Sequence, residues 1–183
     1  MPFKETPIKD LWLFEPRVFL DNRGYFYESF NQNEFTKATS VQAYFVQDNH
    51  SSSKYGVLRG LHFQKPPHAQ AKFIKVVKGA IWDVVVDLRP SSTTFKKHLG
   101  FELSAENQKQ LYVPRGFAHG FVVLSDEAEV LYKCDDFYAP QAESGIIYND
   151  KALNIDWKIK DEDLIISEKD LILPTIDELG EIF

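Results

Sequence analysis

The sequence is poor in cysteine, since Cys134 is the only one among 183 residues. A single cysteine excludes an intramolecular disulfide framework and a zinc site built from several thiolates. Long hydrophobic runs are missing as well, because charges interrupt the apolar stretches, as they do in residues 80–90. We therefore expect no transmembrane helix and no membrane partner. The amino terminus lacks the apolar stretch of a secretory signal, so we expect a cytoplasmic protein.

An excess of positive charge and the familiar catalytic signatures are also absent. Lys and Arg number 21 against 27 Asp and Glu, which gives a formal net charge of −6. An acidic chain of this kind is not expected to bind nucleic acid, whose phosphates require a basic surface. Glycine-rich phosphate loops, the zinc pattern His-Glu-x-x-His and the nucleophile elbow do not occur in the sequence.

Aromatic residues, in contrast, are plentiful and favour β structure. They make up 14% of the chain, and large aromatic side chains suit half-buried pleated surfaces. About ten short β-type runs follow one another between turn residues, with one short helix predicted at 32–39. Long amphipathic helices do not alternate with these runs, so the sequence predicts an antiparallel sandwich or barrel. Lys78 and Gly79 are expected to join two neighbouring strands as a tight hairpin.

The most informative segment is GVLRGLHFQKPPHAQAK, residues 56–72. Strand periodicity places Leu58, Gly60, His62 and Gln64 on one face. Burying a histidine and a glutamine in an apolar strand costs free energy unless both side chains find partners. For His62 alone, a hydrogen-bonded core histidine and a functional histidine both remain open.

The spacing of the histidines indicates whether a metal site is expected. A double-stranded β-helix that binds metal needs two histidines two residues apart, followed by a carboxylate. The sequence contains no His-x-His, Gln64 stands two residues after His62, and the next acidic residue is the distant Asp83. We therefore expect no bound metal.

Several motifs, taken in order, resemble those of the dTDP-4-dehydrorhamnose 3,5-epimerase family. GVLRGLHFQ followed by VPRGFAHGF is a specific pair. Lys96, Lys97 and the stretch IIYND depart from the family pattern, but none of them is assigned to chemistry. The matching stretches, from about residue 14 to 157 with SEKD beyond, are DNRGYFYE, QDNHSSSKYGVLRGLHFQ, QAKFIKVVKGAIWDVVVDLRPSSTTF, LYVPRGFAHGFVVLS and YNDKALNIDW.

The resemblance implies an all-β fold of the cupin type, a double-stranded β-helix or jelly roll with short peripheral helices. Residues 1–183 are expected to form one domain, with a C-terminal extension from about residue 160. The implied activity is that of an isomerase that inverts carbons 3 and 5 of dTDP-4-dehydro-6-deoxy-D-glucose. The product would be dTDP-4-dehydro-L-rhamnose, for cell-surface polysaccharide. The resemblance further implies a homodimer and no cofactor.

The same resemblance implies roles for individual residues. His62 matches the base, Asp170 the carboxylate that orients it, and Tyr132 the acid on the opposite face of the sugar. Lys72 matches the cation beside the developing enolate oxygen. The implied substrate contacts are Arg23, Arg59 and Lys169 near the diphosphate, Glu28, Gln47 and Asn49 for thymine and sugar, Tyr138 stacked on thymine, and His119 and Glu143.

Three other functions remain open from the sequence. One is a related dTDP-ketosugar enzyme that inverts only carbon 3 or carbon 5, or that moves the ketone. Another is a cupin that binds a nucleotide sugar without catalysis, which would explain the binding residues but not the acid–base set. The third is a metal-dependent cupin oxygenase. His62 and Tyr132 favour epimerisation but do not determine how many centres are inverted.

Overall fold

The computed structural model describes residues 2–183, whose regular structure is mainly β-strand. The helices are Gln32–Thr39 (α1), Glu168–Leu171 (α2) and Ile176–Leu179 (α3). Single 3₁₀ turns lie at Pro140–Ala142 and Asp161–Asp163. The strands are Phe3–Glu5 (β1), Trp12–Phe14 (β2), Phe19–Asp21 (β3), Gly24–Phe26 (β4), Gln47–Lys54 (β5), Val57–Gln64 (β6), Lys72–Lys78 (β7), Ala80–Asp87 (β8), His98–Ser104 (β9), Gln110–Val113 (β10), Phe117–Val123 (β11), Glu127–Cys134 (β12), Glu143–Gly145 (β13) and Ile165–Ile166 (β14).

These strands form two main sheets whose inner faces pack together. Sheet I has the order β1–β2–β10–β7–β12–β5, and sheet II has the order β13–β6–β11–β8–β9, with β14 parallel to β6. Ile74, Leu111 and Val130 from sheet I pack with Val85 and Leu103 from sheet II. Burying each such side chain contributes about 1.5–3 kcal/mol. The arrangement confirms the predicted cupin-type jelly roll with short peripheral helices.

Helix α1 lies where the sequence predicted a helix. Asn31 caps its start, since the side-chain oxygen accepts hydrogen bonds from the N–H groups of Asn33 and Glu34. Phe35 is fully buried among aromatic rings, including those of Phe73 and Tyr112. The helix therefore covers one part of sheet I on the side away from sheet II.

The expected hairpin at Lys78 and Gly79 is wrong. Gly79 does turn the chain, with φ +72°, and a Cβ there would lie 2.0 Å from the carbonyl oxygen of Glu127. However, β7 pairs with β10 and β12, whereas β8 pairs with β9 and β11. The turn carries the chain from sheet I to sheet II, because pairing is decided by strands that are distant in sequence.

The alternation of faces predicted along β6 also fails. Two residues, Gly60 and Leu61, stand opposite a single residue of β11, and this extra residue reverses the side-chain alternation. Gly60 has φ +126°, which favours glycine. As a result Leu58 is buried in the core outside sheet II, whereas Arg59 and His62 both line the cavity between the sheets.

The chain after residue 160 packs back on sheet II. β14 pairs with β6, and Ile166 and Phe183 join the core outside sheet II. Asp150 is buried and accepts the N–H of Ile176 at 2.7 Å, which fixes the segment around α3. This packing brings α2, which carries Asp170, to the cavity.

Candidate active site

A cavity of about 480 Å³ lies between the sheets, a volume typical of sites for small ligands. Its walls come from β6 and β11 of sheet II, from β7 and β12 of sheet I, and from the C-terminal segment. The four predicted catalytic residues and four of the predicted substrate contacts line it: His62, Lys72, Tyr132, Asp170, Arg59, His119, Glu143 and Lys169.

His62 and Asp170 form a hydrogen-bonded pair in this cavity. The distance from His62 Nε2 to Asp170 Oδ1 is 2.7 Å, and the Asp170 side chain is only 4% exposed. The N–H of Gly60 donates to the other carboxylate oxygen at 3.5 Å. A carboxylate accepts hydrogen bonds only, so the ring proton sits on Nε2 and Nδ1 keeps a free lone pair.

The surroundings of His62 keep its ring neutral. Burial lowers the pKa of His62 below the ordinary value of 6.5, and the positive charges of Lys72 and Lys169 lower it further. The hydrogen bond and charge of Asp170 act in the opposite direction but do not outweigh burial. At neutral pH the imidazole is therefore a free base.

Tyr132 enters the cavity from the opposite sheet. It lies on β12 of sheet I, whereas His62 lies on β6 of sheet II. Burial raises the pKa of the Tyr132 hydroxyl above its ordinary value, so the group keeps its proton at neutral pH. A free base and a protonated acid thus project from the two sheets that enclose one cavity.

Lys72 places its amino group in the same cavity. Burial lowers the pKa of its ammonium, and the electrostatic influence of Cys134, Asp83 and Glu143 acts in the opposite direction without a hydrogen bond. Within residues 2–183 the ammonium has no ion-pair partner. A half-buried ammonium without an ion-pair partner favours a ligand that carries or develops negative charge.

His119 belongs to a second histidine–aspartate pair that the sequence did not predict. Its Nε2 donates to Asp83 Oδ2 at 2.8 Å, and Asp83 is fully buried. The other oxygen of Asp83 has no hydrogen-bond partner among the described residues. The signal for Asp83 was its position as an acidic residue inside the apolar run of β8. The pair fixes the orientation of the His119 ring at the cavity wall.

A second cavity of about 220 Å³ adjoins the first, since both share His62, Lys72, Tyr132 and Glu143 as lining residues. Gln47, Asn49 and Tyr138, which were predicted to contact the nucleotide or sugar, line this second cavity, as do Gln64, Gln70 and the thiol of Cys134.

Tyr138 and Glu143 are joined at this end of the site. The hydroxyl of Tyr138 donates to Glu143 Oε2 at 2.8 Å, and Lys169 Nζ lies 3.5 Å from the other carboxylate oxygen. The bond to Glu143 raises the pKa of Tyr138. Burial raises the pKa of Glu143, but the hydrogen bond from Tyr138 and the charge of Lys169 lower it more. The carboxylate is thus ionised at neutral pH.

Asn49 and Arg59 are held by neighbouring side chains. Asn49 accepts from Gln47 Nε2 at 3.1 Å and donates to Cys134 Sγ at 3.6 Å. Arg59 Nε donates to Ser53 Oγ at 3.0 Å, while the residue remains exposed to the cavity. The guanidinium has further donors that are available to a ligand.

Arg23 and Glu28 lie outside both cavities. Arg23 is at the tip of the β3–β4 hairpin, where it pairs with Asp21, and its side chain is 85% exposed. Glu28 follows β4 and is exposed as well. The chain itself does not bring these two predicted contacts to the site.

A metal centre needs several ligating side chains close together, and a membrane span needs a long apolar helix. From residue 2 to 183, no three side chains of His, Cys, Asp or Glu cluster as a metal site would require. Over the same residues, no helix has the length and apolar character needed to cross a membrane.

The fold and the cavity define a cupin-type jelly roll with a site for acid–base chemistry next to the amino group of a lysine. The chain belongs to the dTDP-4-dehydrorhamnose 3,5-epimerase family, whose sequence model matches residues 5–178. This finding confirms the predicted family and its class, the isomerases.

Individual relatives agree with the family assignment. The dTDP-4-dehydrorhamnose 3,5-epimerase of Pseudomonas aeruginosa is 55% identical over 163 residues, which cover 89% of each chain. The crystal structure of the enzyme of that name from Elizabethkingia anophelis has a TM-score of 0.94 and 55% identity, covering 96% of both chains. A 3,5-epimerase from Legionella pneumophila, solved with dTDP-4-keto-L-rhamnose, has a TM-score of 0.91 and 42% identity, covering 96% of this chain and 92% of that one.

Proposed function

We propose that this protein inverts carbons 3 and 5 of dTDP-4-dehydro-6-deoxy-D-glucose and releases dTDP-4-dehydro-L-rhamnose. The observation that carries the proposal is the placement of a neutral histidine and a protonated tyrosine on opposite sheets around one cavity. These residues are His62 and Tyr132. Lys72 provides the cation that stabilises the enolate formed between loss and return of the proton.

The chemistry follows from the ketone at carbon 4. Each of the two inverted carbons is next to this ketone, so loss of its proton gives an enolate. Nδ1 of His62 takes the proton, and the electron pair of the C–H bond moves toward the ketone oxygen. Lys72 then stabilises the negative charge on that oxygen. Tyr132 donates its proton to the opposite face of the same carbon, which inverts the centre, and solvent restores both residues.

Asp170 supports the base in this scheme. Its carboxylate accepts a hydrogen bond from His62 Nε2, with 2.7 Å between Nε2 and Oδ1, which leaves Nδ1 unprotonated. When His62 becomes protonated, the same carboxylate stabilises the imidazolium. Asp170 therefore acts on the reacting atoms through His62.

The second cavity is the proposed binding site for the nucleotide. The ring of Tyr138 is half-exposed and stacks on thymine in this proposal. Lys169 and Arg59 are placed to contact the diphosphate, since arginine and lysine suit phosphate oxygens. The remaining proposed contacts to thymine and sugar are Gln47, Asn49, His119 and Glu143.

Arg23 and Glu28 complete the site from a second copy of the chain in this proposal. The β3–β4 hairpin carries exposed Phe19, Leu20 and Phe26, which form an apolar surface without cover in one chain. A homodimer in which each hairpin covers the partner would bury this surface and deliver both residues.

Two further features complete the proposal. Residues 1–183 form one domain, with the segment after about residue 160 as its extension, which agrees with the packing of that segment on sheet II. The reaction takes place in the cytoplasm, because a sugar linked to a charged diphosphate does not cross a membrane unaided.

The test is proton NMR in D₂O with dTDP-4-dehydro-6-deoxyglucose. The wild-type protein should exchange and invert carbons 3 and 5. His62→Asn should lose exchange at both carbons, by about 10²–10⁴-fold. Tyr132→Phe should still exchange, but the deuterium should return mainly to the original face. His98→Asn, on β9 at the far edge of sheet II, is the matched control and should behave as wild type.

Each rival function predicts a different spectrum. A mono-epimerase would invert one carbon only, and a ketoisomerase would move the ketone. A binding protein would bind dTDP without exchange. If folded His62→Asn exchanged at the wild-type rate, His62 would not be the base; if Tyr132→Phe inverted both centres normally, Tyr132 would not be the acid.

A further inference from the structure

Three glutamine side chains hold the main chain of the loop that presents Tyr138. The loop, residues 135–139, follows β12. Gln70 Nε2 donates to the carbonyl oxygen of Asp136 at 2.7 Å. Gln47 Oε1 accepts the N–H of Tyr138 itself at 2.9 Å.

Gln64 binds the loop on both sides of Tyr138. Its Oε1 accepts the N–H of Ala139 at 2.7 Å, and its Nε2 donates to the carbonyl oxygen of Phe137 at 3.3 Å and to that of His68 at 2.7 Å. The Gln64 residue is only 5% exposed. Loss of the amide would leave several poorly solvated main-chain groups without a partner, so the bonds hold the loop in one conformation.

The ring of Tyr138 is held by its main chain and its hydroxyl rather than by packing. The residue is 52% exposed, and its hydroxyl donates to Glu143. Among the described residues, no aromatic ring stacks on it, so its exposed part remains available to a ligand. An exposed loop that must become ordered on binding reduces affinity, whereas a loop that is already ordered does not.

We propose that Gln64, together with Gln47 and Gln70, is a positioning residue that presents Tyr138 to the nucleotide base. It sets the affinity for the nucleotide and not the rate of proton transfer. This inference rests on the proposed function, in which Tyr138 stacks on thymine. The glutamine two residues after His62, where a metal-binding jelly roll needs a histidine, thus has a different task in this protein.

The test compares Gln64→Met with wild type by calorimetry with dTDP and by steady-state kinetics. Base–aromatic stacking changes affinity by up to about 150-fold, so partial loss of the Tyr138 orientation should raise the Kd for dTDP about tenfold. KM should rise in parallel, with kcat changed by less than about threefold. Gln108→Met is the matched control, because Gln108 Nε2 also donates to a carbonyl oxygen, that of Ala105, but on a turn outside both cavities. This control should bind dTDP as wild type does.

A double variant separates positioning from general support of the fold. Tyr138→Ala should weaken dTDP binding by itself, and adding Gln64→Met to it should have little further effect, because Gln64 acts through Tyr138. An equal loss in both backgrounds would overturn the inference. So would a folded Gln64→Met that binds dTDP as tightly as wild type.

Folding is checked by circular dichroism. If Gln64→Met does not fold, Gln70→Met serves instead, since Gln70 is only half-buried. It should raise the Kd about threefold, and an unchanged Kd would overturn the inference. A wild-type protein that binds dTDP but inverts neither carbon would contradict the proposed function alone, whereas a wild type without affinity for dTDP would remove both.

Discussion

The cavity and the β3–β4 hairpin of this protein are built in opposite ways. In the cavity, His62 and Asp170 are held by two packed sheets and by a C-terminal segment that folds back on its own chain. The hairpin, by contrast, leaves Leu20 80% and Phe26 70% exposed. Predicted substrate contacts are found in both regions, but the predicted acid and base are found in the cavity alone.

The difference separates two physical requirements. Proton transfer needs groups held within hydrogen-bond distance of the reacting carbon, and rigid strands of one chain meet that need. Recognition of a long nucleotide sugar can be shared with a second chain, and covering the apolar hairpin would stabilise the proposed homodimer. Each large apolar side chain buried there contributes about 1.5–3 kcal/mol. Changes in the two regions should therefore have different kinetic signatures.

The largest effect is expected from Asp170→Asn in the cavity. The amide no longer holds the Nε2 proton of His62 as a carboxylate does, so Nδ1 is misoriented and the imidazolium loses its stabilising charge. We expect kcat to fall about 10²–10³-fold, measured by steady-state turnover. Asp177→Asn, an exposed residue of α3 paired with Lys96, is the control and should retain kcat. A wild-type kcat in folded Asp170→Asn would contradict the role of the pair.

The hairpin variant Arg23→Ala should have a smaller effect of another kind. We expect KM to rise about tenfold with kcat nearly unchanged, since a phosphate contact is lost far from the reacting carbons. The measurement is steady-state kinetics, with size-exclusion chromatography to verify the dimer.

Mixed dimers determine which chain each hairpin serves. Subunits with His62→Asn carry an intact hairpin, and subunits with Arg23→Ala carry an intact base. If each hairpin serves the partner, the mixed dimer has one complete site, and a random mixture should recover about a quarter of wild-type activity at low substrate. Mixtures no more active than the average of the two variants would show that the hairpin serves its own chain.

A still smaller effect is expected in the pH profile of kcat/KM. His62 must be neutral to act as the base, so activity is lost as pH falls through its pKa. Burial lowers this pKa, and the acidic limb of wild type should lie below 6.5. Lys169 lowers it too, so Lys169→Met should move the limb to higher pH. Asp170 raises it, so Asp170→Asn should move the limb to lower pH. Shifts in the same direction for both variants would contradict this account.

The smallest effect is expected from removal of metal ions. The part of the chain from residue 2 onward contains no cluster of three or more potential ligands, and Lys72 already places a cation at the cavity. Protein treated with a chelator and then desalted should keep full activity in the NMR assay. Loss of turnover on chelation, followed by recovery with a divalent ion, would mean that the cavity depends on a metal.

The local pattern of the sequence was sufficient to predict much of the fold. The helix at 32–39 was predicted with the bounds that the structure has. Capping by Asn31 and the apolar periodicity are short-range signals, which act between residues close in the chain. The order of motifs around GVLRGLHFQ and VPRGFAHGF was sufficient to identify the family.

Tertiary structure alone decided how the functional groups meet. His62 and Asp170 are 108 residues apart, and periodicity contains no information about contacts over such a distance. The extra residue in β6 places Arg59 on the same face as His62, although strict alternation separates them. Register and sheet pairing depend on which distant strands pack together, so a local pattern cannot determine them. The motifs of this sequence therefore indicated the predicted acid, base and cation, and the two packed sheets brought these residues into one cavity.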